Sequence, residues 1–256
     1  VLSILFSDIR GFTSISEKMM PDDLVNSLNR YFTVMVDIIM NRGGVIDKYI
    51  GDAIMAFFGA PVRHLDDALQ SVMAGIEMNE ALEGFNAQQR KIDKPEFQIG
   101  VGINYGVVTV GNIGTDKKMD YTIIGDMVNL ASRMEGLTKK YLQPLLISES
   151  LYLKVNEKLP CRLIDSVAVI GKSKGAKIYT TKKSLTEGES RAWSLHNAGM
   201  ERYYNRDFPT AIRYFQQVRQ ILPQDFASEM MIARCRDYAR NTPPEDWDGV
   251  EIMREK

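Results

Sequence analysis

Two apolar runs that each meet an aspartate beside a glycine-bearing turn constrain this chain more than any other feature. Val1 to Phe6 reads VLSILF and runs into Asp8-Ile9-Arg10-Gly11; Ala53 to Phe58 reads AIMAFF and follows directly on Gly51-Asp52. Apolar runs of this length, bounded by turn signals, read as buried strands. They commit the chain to a sheet with two carboxylates at strand ends.

The rest of the first 185 residues supplies neighbours for that sheet. Pro21-Asp22-Asp23 suits a helix start, with acids near the unpaired amides of the first turn. Leu24, Val25, Leu28, Phe32, Met35, Val36 and Ile39 then recur at helical spacing, and Gly43-Gly44 ends the run. Residues 45–49 and 53–58 read as a hairpin about Ile50-Gly51-Asp52. A helix is expected over 65–86, strands over 97–104, 107–113 and 121–124, a helix over 126–140, and strands over 144–148 and 177–181. The pattern is α+β, a sheet with packed helices. After about 185 the texture turns helical. Gly199, Ala211, Phe215 and Pro223 stand at the spacing of one tetratricopeptide repeat within residues 192–223. The reading is therefore a domain over 1–185, then a helical extension and tail over 186–256, with Pro243 to Trp247 extended.

Composition narrows the classes. A net charge of −1 gives no argument for binding nucleic acid. No apolar run approaches the ~18 residues that cross a bilayer. Cys161 and Cys235 make no metal or disulfide pattern and suit a reducing cytosol, so a cytoplasmic location is expected. The chain opens inside an apolar run without Met, as a fragment of a longer protein would, and a membrane anchor upstream is compatible with it.

Several side chains suggest phosphate chemistry. Asp8 and Asp52, at adjoining strand ends, could hold two divalent cations ~3.5–4 Å apart, the arrangement used for in-line displacement at phosphorus. Hard oxygen ligands favour Mg²⁺ or Mn²⁺. Each aspartate alone also reads as a turn residue. Phe12 and Thr13, in Arg10-Gly11-Phe12-Thr13, sit where backbone amides could cradle phosphate oxygens, although most such tripeptides are only turns. Asn129 and Arg133, four apart, share a helix face; an arginine fork suits phosphoryl oxygens, although such a pair alone is more often a solvated face. Lys48 can donate to a purine edge and Thr122 can accept from it. Lys172, Lys174 and Lys177 make a basic, glycine-punctuated loop, IGKSKGAK, that either holds a triphosphate or is a solvated turn.

In order and at this spacing, FSDIRGFT, DKYIGDAIMAFFGAP and TIIGDMVNLASRME resemble the class III adenylyl and guanylyl cyclase family over about residues 1–183. The resemblance implies a ferredoxin-like α+β domain with helices largely on one face. It also implies two metals on Asp8 and Asp52 with the Ile9 carbonyl. By the same resemblance Lys48 and Thr122 choose the base, Asn129 orients the ribose, and Arg133 stabilises the transition state. Sites would form between two subunits of a homodimer, one giving Asp8 and Asp52 and the other giving Lys48, Thr122, Asn129 and Arg133. Many adenylyl cyclases have Asp where Thr122 stands. The Lys–Thr pair is similar to a subclass that includes bicarbonate-responsive cyclases and favours ATP over GTP. The hydroxyl discriminates less than a carboxylate, because it can also donate. The helical tail is similar to tails of bacterial cyclases and is a candidate for binding a protein partner. The rival readings are GTP as substrate and a catalytically silent dimerisation module. A scaffold acting through the tail would not explain the two Asp-bearing strand ends. The GGDEF motif of diguanylate cyclases is absent.

Overall fold

The computed structural model describes residues 1–168 and 175–252, which form two compact units, Val1–Val155 and Asn156–Lys256. In the first, β1 (Leu2–Ile9) is followed by a one-turn helix α1 (Phe12–Ser16), then α2 (Pro21–Asn41), β2 (Val45–Ile50), β3 (Ala53–Phe58), α3 (Asp67–Lys91) and β4 (Ile99–Gly106). A hairpin of β5 (Thr109–Thr115) and β6 (Lys118–Ile124) leads to α4 (Asp126–Tyr141), β7 (Leu145–Ser148) and α5 (Glu149–Val155). The strand order is β7-β4-β1-β3-β2, and β5 with β6 makes a separate two-stranded sheet. β1 lies between β3 and β4, antiparallel to both, which explains why it is buried almost throughout. β2 and β3 close through Gly51-Asp52, with Ile50 opposite Ala53 and Gly51 at φ 65, a conformation glycine adopts freely.

Alternate residues of β4 show how the sheet is covered. A Cβ at Gly75 of α3 would meet Val101, Ile103 and Leu145 side chains, so α3 lies on that face. A Cβ at Gly102 would stand 2.2 Å from the Glu135 amide nitrogen, so α4 lies against the other face. Strand residues alternate between faces, and helices therefore cover both, rather than largely one as the resemblance implied. The α+β class is as expected.

The buried stripe of α2 also differs from expectation. It consists of Ser27, Tyr31, Met35 and Ile39, while Val25 is exposed. Polar groups occupy this stripe because they find partners: Gln89 Nε2 donates to Ser27 Oγ, and the Tyr31 and Ser7 hydroxyls meet at 3.4 Å. Hydrophobicity alone pointed one step around the helix.

The second unit begins with β8 (Cys161–Ala168) and β9 (Ala176–Thr181), antiparallel to each other, and β10 (Glu251–Ile252), parallel to β8. Helices α6 (Glu187–Tyr204), α7 (Phe208–Ile221) and α8 (Phe226–Arg240) complete it. A reciprocal capping box at Thr186 and Glu189 starts α6. Gly199 lets α6 approach α7 closely, since a Cβ there would stand 2.8 Å from the Phe215 ring. Arg162, buried, donates to both oxygens of Asp225 at 2.6 Å and to His196 Nδ1 at 2.7 Å. The 243–247 segment is not a free extended tail: Trp247 packs edge-on against Tyr203 and Tyr238, with the Arg206 guanidinium 5.5 Å from its ring centre. Tyr203 of α6, Phe208 of α7 and Tyr238 of α8, with Arg206 from the α6–α7 turn, make that dock, which no local pattern announces.

Candidate active site

The strand pairing brings Asp8 and Asp52 together. Ser7 of β1 pairs with Ile54 of β3, and the two aspartates follow one and two positions beyond that pair. Asp52 Oδ2 accepts the Ile9 amide at 3.2 Å, which anchors it across the strand end. Burial, then a hydrogen bond and the charge of Asp52, push the Asp8 carboxyl up to about 6. Two carboxylates pressed together in a half-buried place are short of positive charge, which a divalent cation supplies. No group of three or more His, Cys, Asp or Glu among the described residues forms a metal cage. Mg²⁺ is commonly held by one or two carboxylates plus substrate phosphates, so this donor set fits it.

Glu135 belongs to the same electrostatic neighbourhood and was not singled out from sequence. Burial raises its carboxyl to about 7, the charge of Asp8 adding to the effect and Arg10 opposing it. Arg10 itself donates to the carbonyls of Thr138 (3.2 Å) and Gln143 (2.8 Å), tying the end of β1 to the end of α4. Gly11, at φ 68, turns the chain into α1, which starts at Phe12 and carries Thr13 exposed in its first turn.

Lys48 and Thr122 meet through a third residue. The Thr122 hydroxyl donates to Asp47 at 2.7 and 2.9 Å, and Lys48 Nζ lies 3.2 Å from the same carboxylate. Asp47 was also missed from sequence. Its one visible signal is an acid beside Lys48 in a hairpin strand whose other residues are Val45, Ile46, Tyr49 and Ile50.

Asn129 and Arg133 share the exposed face of α4. Among the described residues neither has a hydrogen-bond or ion-pair partner, and none joins them to Asp8 or Asp52. Lys172 and Lys174 lie outside the described residues. Lys177 lies in β9 and has a partner. No helix among the described residues is long and apolar enough to cross a membrane.

A mixed sheet with helices, two carboxylates at adjoining strand ends, and Lys48 and Thr122 set on a shared carboxylate together characterise this α+β domain. Residues 1–183 match the family model described as the adenylate and guanylate cyclase catalytic domain, and the chain belongs to that family. An adenylate cyclase of Anabaena cylindrica is 46% identical over 188 residues, covering 71% of this chain and 36% of that protein. The terminal-differentiation-specific adenylate cyclase of Dictyostelium discoideum is 38% identical over 244 residues, covering 91% of this chain and 11% of that protein. The chain thus spans about a third or less of the length of these relatives. Among solved structures, the adenylyl cyclase CyaB from P. aeruginosa superposes with a TM-score of 0.65 at 39% identity, covering 73% of this chain and 95% of that one. The guanylyl cyclase Cya2 gives 0.64 at 36% identity, covering 70% and 90%.

Proposed function

We propose that the chain is the catalytic part of an adenylate cyclase, converting ATP to 3′,5′-cyclic AMP and pyrophosphate. The observation that carries this reading is the contact of Asp8 with Asp52 at adjoining strand ends, inside a chain of this family. Asp8, Asp52 and the Ile9 carbonyl would hold two divalent cations, Mg²⁺ or Mn²⁺. When bound, these would supply Lewis-acid charge at the α-phosphate and make the 3′-hydroxyl more acidic.

The chain's own residues position and neutralise. Lys48 donates to N1 of adenine and Thr122 accepts from the 6-amino group. Asn129 holds the ribose so that the 3′-oxygen faces the α-phosphorus in line; the O3′–P bond forms as the bond to pyrophosphate breaks. Arg133 brings positive charge to the α-phosphoryl oxygens as negative charge gathers there. Phe12 and Thr13 place the amides of the first α1 turn near the phosphates.

Asn129 and Arg133 are exposed on α4 and, among the described residues, have no bond to the aspartate pair of their own chain, which supports a site completed across a homodimer with two equivalent sites. Exposed Val107, Val110, Met119, Tyr121 and Ile124, on and beside the β5–β6 hairpin, give that dimer apolar surface to bury. The catalytic domain would end near residue 185. The α6–α7 pair, with Gly199 against Phe215, would serve as a single tetratricopeptide-type unit offering a surface to a protein partner. The activity would lie in the cytoplasm, where ATP is supplied.

The test is incubation of the purified chain with ATP or GTP, each with Mg²⁺ or Mn²⁺, with products identified by mass. Cyclic AMP from wild type and none from Asp52→Ala is the expected result. Cyclic GMP alone would overturn the substrate assignment. No cyclic product at any protein concentration would favour a silent module.

A further inference from the structure

Thr122 and Lys48 are the family's expected base readers, but a threonine hydroxyl is ambiguous: it can donate as readily as accept. The structure contains a device that removes the ambiguity. β2 carries a bulge. Ile46 pairs with Ala56 and Lys48 with Met55, which leaves Asp47 as the extra residue between them. A bulge re-aims side chains that a regular strand would send to opposite faces. Here both Lys48 and Thr122 reach the Asp47 carboxylate, whose side chain is 0% exposed.

Thr122 Oγ has one proton, and both carboxylate oxygens lie within hydrogen-bonding distance of it at 2.7 and 2.9 Å. A carboxylate accepts only, so the proton is committed to Asp47 and the hydroxyl is left with lone pairs alone. Thr122 is itself 7% exposed, where a charge-assisted bond is not readily exchanged for one to water. Lys48 Nζ forms an ion pair with the same carboxylate at 3.2 Å and brings only donors.

The outward polarity of the pair is then an acceptor beside a donor. That matches the 6-amino group and N1 of adenine. It opposes a 6-oxo purine, whose carbonyl would meet lone pairs and whose N1–H would meet the ammonium. Building on the cyclase reading above, we infer that Asp47 is a specificity-positioning residue. By holding the Thr122 proton it makes that hydroxyl an obligate acceptor and biases the site toward 6-aminopurine nucleotides.

Asp47 also accepts the Ile123 amide at 3.2 Å and so pins β6 beside β2. A merely structural role would slow every substrate alike, so the readout is a ratio. ITP carries the 6-oxo group of GTP without its 2-amino group. Measure kcat/KM for ATP and ITP in wild type, Asp47→Asn, Thr122→Val and the double variant. Asp47→Ser serves as a second replacement that removes the carboxylate, should Asn not fold. The expected result is an ATP:ITP ratio lowered about tenfold by either Asp47 replacement, because an amide or a hydroxyl can donate to Thr122 as well as accept from it, so the Thr122 proton is no longer committed. Thr122→Val should lower the ratio too, and Asp47→Asn added to it should change the ratio less than about twofold, since no hydroxyl remains to orient. If Thr122→Val changes the ratio and the Asp47 replacements lower both substrates in parallel, the inference is wrong and base reading by Thr122 stands. If neither position moves the ratio, base reading by Thr122 fails, and the role of Asp47 falls with it. A wild type without cyclase activity removes the reading beneath both.

Discussion

Replacing Gly102 by alanine tests whether the backbone contact between β4 and α4 holds the catalytic helix in place. The added Cβ would stand 2.2 Å from Glu135 N, 2.7 Å from Glu135 Cα and 2.8 Å from the Ala131 carbonyl oxygen. All three are main-chain atoms, so no side chain can swing aside and the helix must withdraw by more than 1 Å. Overpacking of this kind costs about 1–3 kcal/mol. Alanine recovers about 0.4–1 kcal/mol by restricting the unfolded chain. The net is destabilisation of about 1–2 kcal/mol, which for a chain of this size lowers Tm by roughly 2–8 °C. The functional effect should be larger, because α4 carries Asn129 and Arg133. A displacement of about 1 Å at a positioning group can cost on the order of 10²-fold in rate. Calorimetry and cyclase turnover measure the two effects. Gly136→Ala is the control: it lies on the same helix with nothing within 4 Å of its Cβ. It should stabilise by about 0.5–1 kcal/mol and leave turnover unchanged. Gly102→Ala behaving like Gly136→Ala, with a raised Tm and normal turnover, would refute the packing argument.

Other expectations follow from the second unit and the site. Arg133→Ala should lower turnover by about 10²–10³-fold with Tm unchanged, because its side chain is exposed and has no partner among the described residues; near-normal turnover would remove it from the mechanism. His196 is buried and accepts from Arg162 at Nδ1, so it is neutral, with Nε2–H donating to the Leu163 carbonyl; burial and then the Arg162 charge hold it well below 6.5. The unfolded chain takes up that proton below about pH 6.5 and the folded chain does not. The second unit therefore loses stability as pH falls below about 6.5. Both tryptophans, Trp193 and Trp247, lie in this unit, so fluorescence-monitored urea unfolding reads it selectively; stability that rises between pH 7.5 and 5 would contradict the neutral assignment. Trp247→Ala removes a ring packed on Tyr203, Phe208 and Tyr238 and should cost about 2–3 kcal/mol by thermal melting. A loss below 0.5 kcal/mol would mean that the segment is not docked.

The elements legible in the sequence were those whose cause is local. β1, β2, β3 and α4 show their pattern within a few residues, and Asp8, Asp52, Lys48, Thr122, Asn129 and Arg133 stand in recognisable motifs. What stayed hidden depends on distant partners. Asp47 gains meaning only when β6, 75 residues away, brings Thr122 to it. Glu135 looks like an ordinary helix acid until α4 settles on Gly100 and Gly102. Ser27 lies on the buried face of α2 because Gln89 of α3 reaches it, a bond no hydrophobic pattern can reveal. β8 went unread because its polar residues Arg162 and Asp165 are buried against charged partners on α8 and its N-cap, Arg234 and Asp225.

In the proposed dimer the aspartate pair of one copy works with Asn129 and Arg133 of another. Mixing Asp8→Ala with Arg133→Ala, each nearly inactive alone, tests it directly. Random exchange makes half the dimers mixed, each with one intact site, so activity should recover to about a quarter of the wild-type level. Mixed dimers demonstrated by tag pull-down yet still inactive would contradict the shared site.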